Sequence, residues 1–132
     1  MRVLLADSRV WLRSALRLLL EHEANVEVVG EVANTEALPR SISQLRPDLL
    51  FLDWQLPGLE THSARQFLLN KVRAIQPHLY IIALTNDLTN DHNGDHSGNN
   101  RQPLLGADAY VSKAEPPERL LTVLRQAATG YA

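Results

Sequence analysis

The sequence contains no cysteine, which excludes a disulfide framework, a thiolate metal site and a cysteine nucleophile. No apolar run approaches the ~18 residues of a membrane span. The apolar run at the N-terminus, Val3–Ala6, ends at Asp7 and is too short for the core of a targeting signal. The net charge of −2 lacks the basic excess of a nucleic-acid-binding surface. We therefore expect a cytoplasmic protein that neither enters a membrane nor binds nucleic acid directly through this chain.

The composition is that of a folded domain. The chain has 132 residues, of which 45% are hydrophobic and 21% charged, so it can bury a core and has the size of one domain. Neither an internal repeat nor a linker composition interrupts it. We predict a single domain over residues 1–132.

Short apolar runs predict the strands of this domain. They are continuous rather than alternating, which is typical of parallel strands covered on both faces. The four clear runs and a weaker fifth are Val3–Ala6, Val26–Gly30, Leu49–Leu52, Leu79–Leu84 and Ala109–Ser112.

Helical patterns lie between the strands. Apolar residues at helical spacing occur in 12–19, 64–75 and 120–127, and Pro116 and Pro117 suit a first helical turn. Asn34 could cap a further helix, but Pro39 predicts that this helix starts late, near Leu38, or is bent there. The alternation predicts an α/β fold, a doubly wound five-stranded parallel sheet with strand order 2-1-3-4-5.

One segment departs from this alternation. Residues 86–100 read NDLTNDHNGDHSGNN and predict a flexible polar loop, which leaves only Arg101–Leu105 for a degenerate fourth helix. The histidines and acids of Asp91–His96 could bind Zn²⁺ or Ni²⁺. A calcium loop would end on Asn100 instead of an acid, so a flexible loop is the preferred interpretation.

Polar residues follow the predicted strands at the edge where ligands bind in such sheets. Asp7, Asp53, Thr85 and Lys113 each stand at or directly after the end of a strand. A carboxylate can attack phosphorus to form an acyl phosphate, and two carboxylates can hold Mg²⁺. A hydroxyl and an ammonium can neutralise phosphoryl oxygens, so the group predicts phosphoryl transfer.

Several motifs occur together and in one order: MRVLLADS, EVVGEVAN, RPDLLFLDWQLPG, IIALT and GADAYVSK. In these the chain resembles the response-regulator receiver domains of two-component signalling, which have a flavodoxin-like fold. The stretch LLLEHEANVEVVGEVAN is most similar to receivers that precede helix-turn-helix DNA-binding domains.

The resemblance implies a role for individual residues. Asp53 matches the phosphoacceptor, and the metal would be held by Asp7, Asp53 and the backbone carbonyl of Gln55. Lys113 and Thr85 match the residues that contact the phosphoryl group. Thr85 and Tyr110 match the switch residues. It also implies a non-enzymatic phosphorelay switch with a sensor histidine kinase as its donor. Further implied partners are a DNA-binding output domain beyond Ala132 and a second copy, bound through the face of the fourth helix, fifth strand and fifth helix.

The chief departure from the family is Ser8, which stands where a second metal-binding acid is usual. We expect the affinity for Mg²⁺ to be reduced, with a water-bridged ion still an option. An alternative function follows, a receiver-like protein-interaction module that works without phosphorylation.

Simpler roles stay open for the same residues. Asp53 could cap a turn, Asp7 or Ser8 could cap the first helix, and Thr85 could merely finish its strand. Lys113 would pair with Asp53 in any unphosphorylated receiver, and Tyr110 could be an ordinary half-buried tyrosine. A small hydrolase is disfavoured because no glycine-rich phosphate loop follows the first strand.

Overall fold

The computed structural model describes residues 1–86 and 106–131, in which strands and helices alternate. The elements are β1 (Arg2–Ala6), α1 (Val10–Leu20), β2 (Glu27–Val32), α2 (Leu38–Leu45), β3 (Leu49–Asp53), α3 (His62–Ile75), β4 (Tyr80–Thr85), β5 (Ala109–Ser112) and α4 (Pro117–Tyr131). None of these described helices combines the length and apolarity needed to cross a bilayer. Three predictions lie outside the described residues: the loop beyond residue 86, its candidate metal site and the degenerate fourth helix at Arg101–Leu105. The helix named α4 here is therefore the one predicted as the fifth.

The strands form one parallel sheet in the order β2-β1-β3-β4-β5, which confirms the predicted doubly wound topology. The three central strands β1, β3 and β4 are buried almost throughout. Side chains alternate between the two faces of the sheet, so continuous apolar runs supply both faces with core residues. This is why these strands lack the alternating pattern of a half-exposed sheet.

Two cores form, one on each face. Leu4 and Leu50 lie in the core that α2 and α3 cover. Leu5 and Phe51 lie in the other, which α1 and α4 cover. Most residues of the predicted helical stripes close these cores, and their burial is the main stabilising contribution to the fold. Phe67 is an exception: it belongs to the predicted stripe of α3, but it is 68% exposed.

Local signals explain where the helices begin. α2 starts at Leu38 as predicted, with Pro39 in its first turn, where the missing N–H has no partner to lose. Asn34 is not the cap; its side-chain oxygen accepts the N–H of Ala37, 3.0 Å away, and so orders the approach to the helix. Thr61 caps α3 by accepting the N–H of Ala64.

The predicted boundary of β2 was wrong by two residues. The strand continues through Glu31 and Val32, which pair with Leu5 and Ala6 of β1. A charged residue ends the apolar run in the sequence, but Glu31 is held at the sheet by two arginines of α1. Pairing of the backbone thus extends the strand past the point where its hydrophobic pattern stops.

The two phenylalanines provide a matched test of this core. Phe51 is fully buried in β3, whereas Phe67 on α3 is 68% exposed. We expect Phe51→Ala to lower the free energy of unfolding by about 3–5 kcal/mol because it leaves a cavity. Phe67→Ala should change it by no more than about 0.5 kcal/mol. Urea unfolding followed by circular dichroism measures both, and similar losses in the two variants would contradict the assigned core.

Candidate functional site

Four of the predicted site residues meet at the carboxyl edge of the sheet. Asp53 and Thr85 are the last residues of β3 and β4, and Asp7 and Lys113 directly follow β1 and β5. Backbone hydrogen bonds continue past the strand ends: the N–H of Lys113 donates to the carbonyl of Thr85 at 2.7 Å. Because the strands are parallel and in register, their ends bring these side chains together.

Lys113 bonds the predicted acceptor. Its Nζ lies 2.5 Å from Oδ1 of Asp53 and 4.0 Å from Oδ2 of Asp7. The same Oδ1 of Asp53 accepts the N–H of Gln55 at 3.0 Å. Asp7 and Asp53 are each only 1% exposed, and carboxylates so far from water require compensating cations and hydrogen bonds. The observed bond agrees with the pairing expected for an unphosphorylated receiver.

Arg9 is a site residue that the sequence interpretation missed. Its Nε lies 3.2 Å from Oδ1 of Asp7, its Nη2 3.2 Å from Oδ2 of Asp7, and Nη2 3.8 Å from Oδ2 of Asp53. The hydrogen bond to Asp7 raises the pKa of Arg9 above its ordinary value, against the opposing effect of burial. The available signal was a guanidinium two residues after a strand-end acid, which is within reach of that acid.

Ser8 lies on the surface and supplies no carboxylate to the site. The N-cap of α1 is Arg9, without a side-chain cap, so the alternative role of Asp7 or Ser8 as the cap of this helix is not observed. Asp7 instead accepts the backbone N–H of Arg9 at 2.8 Å, which fixes the turn between β1 and α1. In residues 1–86 and 106–131, no cluster of three or more histidines and acids is arranged to hold a metal.

The Thr85 hydroxyl is the unsatisfied polar group of the site. The residue is 2% exposed, and Oγ1 has no hydrogen-bond partner among the described residues. A buried hydroxyl without a partner costs about 1–3 kcal/mol. It is therefore a ready donor for an oxygen-rich group that enters between β3 and β4.

Tyr110, the predicted switch residue, packs against the neighbour of the acceptor. Its ring meets Trp54 edge to face, with centroids 5.8 Å apart, and its hydroxyl accepts the N–H of Ala107 at 3.0 Å. Trp54 is buried beneath the guanidinium of Arg65, which lies 4.9 Å from the ring centroid. Tyr110 is therefore in ring contact with the residue that directly follows Asp53.

The turn after the acceptor depends on Gly58. Its φ of 105° lies in the region that favours glycine. A Cβ at this position would come 2.1 Å from Oγ1 of Thr35. The Pro57-Gly58 turn therefore needs glycine both for its backbone and for its close contact with the loop after β2.

An ion-pair network supports the β1–α1 turn. Arg13 donates to the carbonyl of Asp7 at 2.5 Å and to Glu31 at 2.8 Å, and Arg17 donates to the other oxygen of Glu31. Burial tends to raise the pKa of Glu31, but the hydrogen bonds from Arg13 and Arg17 outweigh it and lower the pKa below 4.5. The network joins β2 to the turn that carries Asp7 and Arg9.

Fold and site together define a doubly wound α/β protein with buried acids, a lysine and a hydroxyl at its ligand-binding edge. A family model described as the response regulator receiver domain matches residues 3–125. The chain therefore belongs to the response regulator receiver family of two-component systems, as its motifs indicate.

Individual relatives agree with this assignment. The nitrate/nitrite response regulator protein NarL of Escherichia coli is 30% identical over 128 residues, which cover 97% of this chain and 55% of NarL. The transcriptional regulatory protein BtsR of Salmonella typhimurium is 44% identical over 62 residues, or 45% of this chain and 26% of BtsR. The chain thus matches about half, or less, of the length of these relatives.

Solved structures show the same fold. The REC domain of the response regulator AraT from Geobacillus stearothermophilus has a TM-score of 0.77 at 25% identity, covering 98% of this chain and 94% of AraT's. RcsB from Salmonella enterica serovar Typhimurium, bound to promoter P1flhDC, has a TM-score of 0.76 at 26% identity. That comparison covers 98% of this chain and 61% of the RcsB chain.

The Glu31 network predicts a pH-dependent contribution to stability. Because the folded-state pKa of Glu31 is lowered, its contribution is complete above the ordinary value of 4.5 and is lost as the pH falls through the folded-state pKa. We expect Glu31→Gln to lower the free energy of unfolding by less than about 1 kcal/mol at neutral pH. The difference from the unmodified chain should shrink toward acid pH.

Urea unfolding at several pH values measures this difference. Glu36→Gln is the control, since Glu36 is exposed and makes no ion pair within the part of the chain that the structure describes. A deficit of Glu31→Gln that stays constant with pH would show that packing, rather than charge, carries the contribution.

Proposed function

We propose that the chain is a phosphoacceptor switch in which Asp53 receives a phosphoryl group from a sensor histidine kinase. The observation that carries the proposal is the pairing of Asp53 with Lys113, beside the buried hydroxyl of Thr85, which has no partner among the residues that the structure describes. Packing alone does not call for such a group, because each polar atom is costly to bury.

The hydrogen bonds of Asp53 distinguish its two oxygens. Oδ1 is engaged by Lys113 and by the N–H of Gln55. Oδ2 accepts no hydrogen bond from the described residues, and Nη2 of Arg9 lies 3.8 Å from it. Oδ2 is therefore the proposed nucleophile: its bond to phosphorus forms as the bond from phosphorus to the donor nitrogen breaks.

The other site residues act on the phosphoryl group. Lys113 already bonds the acceptor and would form an ion pair with the added phosphoryl group. The hydroxyl of Thr85, which has no partner among the described residues, would donate a hydrogen bond to the same group. A shift of Thr85 with β4 would change the space beside Trp54 and Tyr110. Tyr110 would then alter the surface around β5, as expected of a two-state switch.

Mg²⁺ is part of the proposal, because receiver domains generally bind it. Asp7, Asp53 and the backbone carbonyl of Gln55 offer the oxygen donors that Mg²⁺ prefers. A bound ion would supply positive charge to the phosphoryl oxygens. Ser8 adds no carboxylate and Arg9 engages both oxygens of Asp7, so we expect binding to be weak.

The output is proposed by analogy with the relatives. One RcsB structure holds promoter rprA in the presence of the phosphomimetic BeF₃⁻, and another contains RcsB dimers on DNA. We propose that this domain likewise controls a DNA-binding domain beyond Ala132 in the cytoplasm. Dimers would form through the face that includes β5 and α4. We also propose that the chain is not an enzyme, because the proposed chemistry modifies the chain itself.

Phosphorylation can be tested on the intact protein. Incubation with acetyl phosphate and Mg²⁺ should add one phosphoryl group, seen by mass spectrometry, because Oδ2 of Asp53 is the proposed nucleophile that attacks phosphorus. Asp53→Asn should abolish the adduct. Asp108→Asn should leave it unchanged, since Asp108 caps the opposite edge of the sheet by accepting the N–H of Ile81. An adduct that survives Asp53→Asn, or no adduct on the unmodified chain, would refute the acceptor role.

A second candidate function is an interaction module that works without phosphorylation. It is favoured by the exposed Ser8 and by the engagement of Asp7 with Arg9. Under this function the chain would not bind Mg²⁺ at millimolar concentration, and partner binding would be the same after Asp53→Ala. Ser8→Asp should then restore metal binding if the missing acid is the cause. Partner binding that depends on Asp53 would exclude this candidate.

A further inference from the structure

Arg9 has no part in the chemistry proposed above, yet it is bound inside the site. Its guanidinium makes two hydrogen bonds to the carboxylate of Asp7, one to each oxygen, and approaches Oδ2 of Asp53. Paired hydrogen bonds of this kind fix the orientation of a guanidinium on a carboxylate, although both distances are 3.2 Å and the side chain of Arg9 is 37% exposed. Holding this long side chain in one conformation has an entropic cost that the contacts must offset.

The charges of the site balance without a metal ion. Arg9 bonds Asp7 and approaches Asp53, whereas Lys113 bonds Asp53 and approaches Asp7 at 4.0 Å. Two buried carboxylates therefore meet two cations, and each cation is shared. A divalent ion that joined this group would bring excess positive charge and would need oxygens that Arg9 already engages.

We propose that Arg9 is a built-in counter-ion that competes with divalent cations for Asp7 and Asp53. A divalent ion then binds only when the guanidinium leaves the carboxylates. This proposal rests on the site assigned under the proposed function, but it concerns metal binding to the unphosphorylated chain. It makes Arg9, rather than Ser8 alone, the residue that sets the metal affinity.

Arg9 also contacts an aromatic ring outside the acid pair. Its Cζ lies 5.6 Å from the centroid of the Trp11 ring, and Trp11 is 66% exposed on the first turn of α1. A guanidinium released by a metal ion would keep this cation–π contact while its polar atoms turn to water. Displacement thus needs a side-chain rotation at the start of α1 and no unfolding.

The direct test compares Mg²⁺ binding to the unmodified chain, to Arg9→Met and to Arg17→Met. Arg17→Met is the charge-matched control, because Arg17 lies on the same helix but bonds Glu31 outside the acid pair. We expect Arg9→Met to bind Mg²⁺ at least about tenfold more tightly than the other two, since the ion no longer displaces a guanidinium. Isothermal titration calorimetry and Trp54 fluorescence measure the affinity.

Thermal unfolding gives a second measurement. Arg9→Met leaves two buried carboxylates with one ammonium, so its Tm should be lowered without Mg²⁺ and should recover as Mg²⁺ is added. The Tm of Arg17→Met should respond to Mg²⁺ no more than that of the unmodified chain. Equal affinities in all three proteins, or no binding by Arg9→Met, would overturn the proposal.

The unmodified chain supplies a test that does not depend on the folding of a variant. Nitrogen-15 NMR should show a slowly exchanging Nε–H of Arg9 without metal, and Mg²⁺ should abolish this protection at concentrations that saturate the site. A proton that stays protected while Mg²⁺ binds would overturn the counter-ion role. Failure of acetyl phosphate to modify Asp53 would instead overturn only the proposed function.

Discussion

Two carboxylates, those of Asp7 and Asp53, are withdrawn from water at one edge of the sheet, and the site is built around the need to compensate their charge. The fold creates that need, because apolar strands covered on both faces end directly at these acids. Lys113 enters from the end of β5 and Arg9 from the start of α1. Every described cation in the site is therefore explained by the burial of these two side chains.

Much of this architecture is local enough to be predicted from sequence. Continuous apolar runs identify the central strands, Pro39 sets the start of α2, and parallel topology gathers Asp53, Thr85 and Lys113 at one edge. Arg9 could not be predicted in the same way, because periodicity does not show where a long side chain turns. The extension of β2 through Glu31 was missed because it rests on backbone pairing with β1, which a charged residue at the end of an apolar run does not indicate.

The comparison with NarL and RcsB places the chain among receivers, and the resemblance of its motifs puts Ser8 where that family usually has a second acid. Ser8 brings no negative charge to the site, while the guanidinium of Arg9 brings a positive charge to Asp7. Both features favour a site whose charges are satisfied internally. The β1–α1 turn that carries the two residues is also held by Arg13, which bonds Asp7 and Glu31.

The hydroxyl of Thr85, which has no hydrogen-bond partner among the described residues, has a consequence for the switch proposed above. A state that leaves this group unsatisfied is raised in free energy by about 1–3 kcal/mol relative to one that satisfies it. Each 1.4 kcal/mol is about a tenfold change in a population ratio. Under the proposed function, a phosphoryl group on Asp53 that accepts a hydrogen bond from this one hydroxyl would therefore shift the ratio of two conformations by roughly an order of magnitude.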